Sequence, residues 1–92
     1  MYKIIDERGV GGKSSRLMLL AKENNGIIVC GYPTRMREKA YEYGLTGITF
    51  ISYAEYIYMD ESVVKGRPVY IDDVDMMLKA YDPHIEGITL SK

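Results

Sequence analysis

Gly9-Val10-Gly11-Gly12-Lys13-Ser14-Ser15 is the stretch on which the fold turns. A short run rich in β-branched residues, Tyr2 to Ile5, precedes it. A helical pattern follows, with Leu17, Leu20 and Ala21 at helical spacing and Met18 on a neighbouring face. Strand, glycine loop and helix in that order make a place for an anion. Glycines let backbone N–H groups turn toward phosphate oxygens, and the helix that follows points its positive end at the same spot. Lys13 would reach the terminal phosphates and the Ser14 hydroxyl would ligate Mg²⁺. The spacing is irregular, because Glu7 stands where a glycine five residues before Gly12 is expected. Two readings therefore stand side by side: a phosphate site, or a glycine-rich βα turn with an exposed lysine.

Outward from this loop the chain alternates. Asn24-Asn25-Gly26 ends the first helix, since Asn and Gly tolerate the left-handed conformation there. Ile27-Ile28-Val29-Cys30 is a continuous apolar run, as in strands buried on both faces. Pro33 suits the first turn of a second helix, whose face is marked by Met36, Ala40 and Tyr43 and which Gly44 stops. Ile48 to Ile51 is predicted as a strand, and Ser52 with Glu55 has capping-box spacing for a short helix through Tyr56 and Ile57. Lys65-Gly66-Arg67-Pro68 is a turn, Val69-Tyr70-Ile71 a strand ending at Asp72-Asp73, Val74 to Ala80 a helix broken by Pro83, and Ile88-Thr89-Leu90 a last strand. The expectation is one domain over residues 1–92, a three-layer α/β/α unit with four or five short, mainly parallel strands.

Composition narrows the function. The chain has 92 residues, 47% hydrophobic and 27% charged, with a net charge of −1 and a pI of about 5.8. That balance fits one globular core and gives no electrostatic reason for nucleic acid or an anionic membrane as the main partner. Arg35, Arg37 and Lys39 are interrupted by Glu38 and followed by Glu42, which describes a solvated helix face. Cys30 is the only cysteine, which excludes an internal disulfide and favours a reducing compartment; its apolar neighbours predict a buried, inert thiol. No signal-like start and no apolar run near about 18 residues is present, so a cytoplasmic location is expected. His84, the single histidine, has no ligand-spaced partners and receives no catalytic role.

Val69-Tyr70-Ile71-Asp72-Asp73 adds a second element: an apolar strand ending in two carboxylates. There Asp72 would hold Mg²⁺ through water and Asp73 would polarise the attacking water, although a solvated turn gives the same sequence. If the Ile4-Ile5 strand neighbours Val69–Ile71, Lys13 comes near Asp72, as phosphate and Mg²⁺ binding require.

With these segments in hand, the chain resembles a compressed first motor domain of the superfamily helicases, within the P-loop NTPases. Gly9–Ser15 is similar to motif I, the Walker A segment, and residues 27–34 to motif Ia. Residues 48–57 resemble the strand and helix that follow, residues 70–78 motif II (the Walker B strand), and residues 85–91 the motif III strand. The order holds over nearly the whole chain, with motifs I and II the specific ones. Departures are Asp73 where the family usually has Glu, and the lack of a second motor domain with its arginine finger. The layout is also similar to that of small proteins of phages and mobile elements, which would place the chain in a host cytoplasm.

The resemblance implies a minimal nucleotide-binding protein that uses Mg²⁺ with ATP or GTP and is at most a slow nucleoside triphosphatase. Gly9, Gly11, Gly12, Lys13, Ser14 and Ser15 would bind the phosphates, Ser14 and Asp72 the metal, and Asp73 would serve hydrolysis. The alternative is an inactive protein-binding module of phage type that inhibits or regulates a larger host enzyme, such as an anti-CRISPR or other anti-defence factor. Nine tyrosines and six methionines fit a protein partner or homo-oligomer, and fit a tyrosine-rich core equally. The Ile88–Leu90 strand would be the exposed sheet edge.

Overall fold

The computed structural model describes residues 13–59 and 64–89, with the side chain of Lys13 excluded. The elements run α1 (Lys13–Glu23), β1 (Ile27–Cys30), α2 (Pro33–Glu42), β2 (Thr49–Ser52), α3 (Tyr53–Ile57), β3 (Val69–Ile71) and α4 (Val74–Tyr81). The three strands form a sheet in the order β2-β1-β3, and both pairings are parallel. The chain is thus α/β with a parallel sheet.

β1 is central because nothing in Ile27-Ile28-Val29-Cys30 tolerates water; all four residues are buried. Alternation sends Ile28 and Cys30 to one face and Ile27 and Val29 to the other. On the first face Ile28 lies in register with Phe50 of β2 and Tyr70 of β3. Met18 and Ala21 of α1 and Met36 and Ala40 of α2 close over Ile28, Cys30 and Phe50 in one cluster. Burying each of Met18, Ile28, Met36 and Phe50 is worth about 1.5–3 kcal/mol relative to exposure. α3 and α4 pack on each other, and α3 leans on β1 and β2.

Local signals act where expected. Asn25 takes the left-handed conformation after α1 (φ 53°), and Gly44 does so after α2 (φ 74°). Pro33 opens α2. The Ser52 side chain accepts from the Glu55 N–H while the Glu55 carboxylate accepts from the Ser52 N–H, so the capping box of α3 is complete. Lys65 and Gly66 make the turn into β3 with positive φ.

Several expectations need correcting. Among the described residues the sheet has three strands, not four or five. Ile88 and Thr89 are irregular and exposed, beyond the turn at Pro83-His84; a strand exists only where a neighbouring edge takes up its hydrogen bonds, and none among the described residues meets them. They are therefore not the sheet edge; β2 and β3 flank β1 on either side. Tyr43 is exposed rather than on the core face, because α2 ends one residue earlier. α1 faces the core through Met18 and Ala21, leaving Leu17 and Leu20 half-buried. The Ile4-Ile5 strand, its pairing with β3, Gly9, Gly11, Gly12 and Leu90 lie outside the described residues. No helix among the described residues is long and apolar enough to cross a membrane.

Candidate functional site

Parallel strands point all their C-terminal ends the same way, and ligands of open α/β sheets collect at that edge. Here the ends of β1 and β3 lie side by side. The ladder continues one step past β3, where the Asp72 N–H donates to the Val29 carbonyl at 2.8 Å. From that point the chain turns through Asp72 and Asp73 into α4, while β1 leaves through Gly31 and Tyr32 into α2. The first turn of α1 arrives at the same place. Ser14 Oγ lies 3.1 Å from Asp72 Oδ1, a partly buried hydrogen bond in which the hydroxyl donates.

A cleft of about 160 Å³ opens here, lined by Ser14, Asp72 and Asp73 and by Arg35 and Lys39 of α2. Arg35 and Lys39 stand one helical turn apart and so share a face. The volume falls below the roughly 300 Å³ at which small-molecule sites begin. A shallower groove continues it past Tyr32, Pro33 and Glu38; there the Arg35 guanidinium lies 5.6 Å from the centre of the exposed Tyr32 ring.

Of the residues expected to carry chemistry, Ser14 and Asp72 are brought together. Asp73 lines the same cleft in a left-handed conformation (φ 60°, ψ 73°) and caps α4, its Oδ1 accepting from the Met76 N–H at 3.3 Å. Ser15 follows in α1, half-buried. The Lys13 side chain and the three glycines are outside the described residues. His84 sits away from the cleft, exposed, with Nδ1 3.0 Å from Asp82 Oδ1.

Two groups escaped sequence reasoning. Tyr53, the first residue of α3, sends its hydroxyl to the carbonyls of Asp72 at 2.6 Å and Asp73 at 3.1 Å. The capping box located Tyr53 on its helix, but no local signal says what its ring reaches. Arg35 and Lys39 are indeed exposed, yet they also form a wall of the cleft.

Cys30 belongs to the cleft's floor. Burial, and secondly the Asp72 carboxylate, push its thiol up to about 11, so it is a thiol and not a nucleophile. The thiol also makes a long contact, 3.9 Å, to the Ile51 carbonyl.

Among the described residues no group of three or more His, Cys, Asp or Glu side chains stands ready to enclose a metal ion. A hydroxyl beside a carboxylate is nonetheless the oxygen-only donor set that suits Mg²⁺, which keeps several waters and takes few protein ligands. No family model, curated protein or solved structure matches this chain.

Proposed function

We propose that this domain is a reduced, P-loop-type three-layer unit that binds the phosphate end of an Mg²⁺–nucleoside triphosphate, ATP or GTP, with slow or no turnover. The observation that carries the reading is the Ser14–Asp72 hydrogen bond. It joins the first turn of a helix preceded in sequence by Gly9-Val10-Gly11-Gly12 to an acid at the end of a parallel strand, the pairing that Mg²⁺-phosphate binding requires. Ser14 and Asp72 supply the metal's protein oxygens. Lys13, Ser15 and the N–H groups around Gly9, Gly11 and Gly12 hold the phosphates. Arg35 and Lys39, which line the same cleft, balance the phosphate charge.

Hydrolysis is weak on this reading because Asp73, the acid available to orient water, has one oxygen committed to capping α4. Calorimetry with ATP and GTP, each with and without Mg²⁺, tests the reading. Heat that requires Mg²⁺ and disappears in Asp72→Asn and Lys13→Ala supports it. Absence of heat from every nucleotide at millimolar concentration defeats it.

A second reading, a protein-binding module that regulates a larger enzyme or pairs with its own copy, draws on another observation. Tyr32, Tyr41, Tyr43, Tyr58 and Tyr81 are exposed, so these tyrosines are not core. Tyrosine gives large contact area at low entropic cost. Light scattering separates a homo-oligomer from a monomer, and the two readings are compatible if binding a nucleotide alters association.

A further inference from the structure

We infer that Tyr53 is a positioning residue of the candidate site: its phenol holds the Asp72–Asp73 turn so that the Asp72 carboxylate faces Ser14. The functional meaning of this rests on the metal role given to Asp72 above. The geometry does not.

Asp73 adopts a left-handed backbone (φ 60°). A non-glycine residue stays there only when its surroundings over-determine it. Four restraints do so. The ladder fixes the Asp72 N–H on Val29, the Asp73 carboxylate is fixed on the Met76 N–H, the Asp73 carbonyl accepts from the Met77 N–H, and the Tyr53 hydroxyl reaches both carbonyls of the turn. The first three leave the Asp72 carbonyl to Tyr53, which lies 2.6 Å from it and ties it to the carbonyl of Asp73.

Tyr53 is itself well fixed. It follows Ser52, the last residue of β2, and the complete capping box sets how α3 leaves the strand. The ring is buried, with 5% exposure. It passes over Gly31, where an added Cβ would lie 3.4 Å from Tyr53 Cε2. Since the sheet order is β2-β1-β3, the side chain is a strut from one outer strand to the other across the end of the central one. Burial first, then the charges of Asp73 and Asp72, push the phenol well above its ordinary range. It therefore stays a proton donor throughout the working pH range.

Tyr53→Phe keeps the ring and removes the strut. In ligand-free protein at one fixed pH, carbon-detected NMR of the Asp72 carboxyl reads the effect. The expected result is a moved Asp72 carboxyl resonance, with β1 and α1 amides in place. An Asp72 carboxyl resonance unchanged in folded Tyr53→Phe overturns the inference, even if the melting temperature drops. Should Tyr53→Phe not fold, Glu55→Ala removes half of the capping box and is expected to shift Asp72 in the same direction by less; no shift there overturns it equally. In calorimetry, Tyr53→Phe is expected to weaken Mg²⁺-nucleotide binding about tenfold and leave Mg²⁺-free nucleotide binding unchanged. Equal weakening of both overturns the positioning role. A wild-type protein that binds no nucleotide defeats the proposed function, while the Asp72 carboxyl resonance still decides Tyr53.

Discussion

Ser14 donates to Asp72 across 58 residues of sequence, at 3.1 Å and partly out of solvent. Removing the hydroxyl leaves the carboxylate with one donor fewer, a loss of about 1 kcal/mol in folding stability. Ser14→Ala is therefore expected to fold, to melt a few degrees lower, and to lose the thermal stabilisation by Mg²⁺-nucleotide that the proposed function expects of the wild type. Ser14→Thr keeps the hydroxyl and should keep both. A Ser14→Ala protein whose Mg²⁺-dependent stabilisation equals the wild type's would remove Ser14 from the metal site.

Asp73 combines two duties that substitutions can separate. It tolerates the left-handed backbone and caps α4. Asn does both, so Asp73→Asn should change stability by no more than about 0.5 kcal/mol. Ala does neither, and Asp73→Ala should cost about 2 kcal/mol through the lost cap and the backbone penalty together. Urea unfolding distinguishes them. Any slow hydrolysis should disappear in Asp73→Asn while nucleotide binding remains.

Arg67 ties the opposite end of the sheet together. Its Nε donates to the Asn25 carbonyl at 2.9 Å, and one Nη donates to the Gly26 carbonyl and to Thr49 Oγ1, each at 3.1 Å. The turn before β3 is thereby held to the starts of β1 and β2. Lysine lacks the planar fork, so Arg67→Lys should destabilise by about 1–3 kcal/mol despite its retained charge. A denaturation midpoint unmoved by Arg67→Lys would mean that the fork contributes nothing.

Cys30 supplies the pH test. Its thiol pKa rises from an ordinary 9.0 to about 11, so the fold favours the neutral thiol. That contribution is present in full below about pH 9 and is lost as pH rises through the folded value. Stability should therefore decline between pH 9 and 11, and decline less in Cys30→Ala. Because Asp72 is the second cause of the rise, Asp72→Asn should lower the Cys30 value. Iodoacetamide at pH 8 should label Cys30 only as fast as the protein opens; prompt labelling of folded protein would contradict its burial.

Much of the architecture was readable where neighbours in sequence decide it. Ile27–Cys30 could only be an interior strand, since four apolar residues with no polar alternation leave neither face for water. Pro33, Gly44 and the Ser52–Glu55 pair mark helix ends through backbone angles and hydrogen bonds that span three residues or fewer. Ile88–Leu90 had the composition of a strand, but composition does not provide a paired edge, and Ile88 and Thr89 run free. Tyr43 fell at helical spacing yet lies past the last turn, where the period no longer governs direction.

The sequence by itself determined that strands alternate with helices, that β1 is buried on both faces, and that an Asp-Asp pair ends β3. Those properties follow from local propensity and from the free energy of burying apolar surface. Only the tertiary structure decided that β1 lies between β2 and β3, that Ser14 meets Asp72, that Arg35 and Lys39 line the same cleft as those acids, and that Tyr53 reaches the turn from the far strand. Each of these joins segments tens of residues apart. Such contacts depend on how every helix packs against the sheet at once, and no window of neighbouring residues contains that sum.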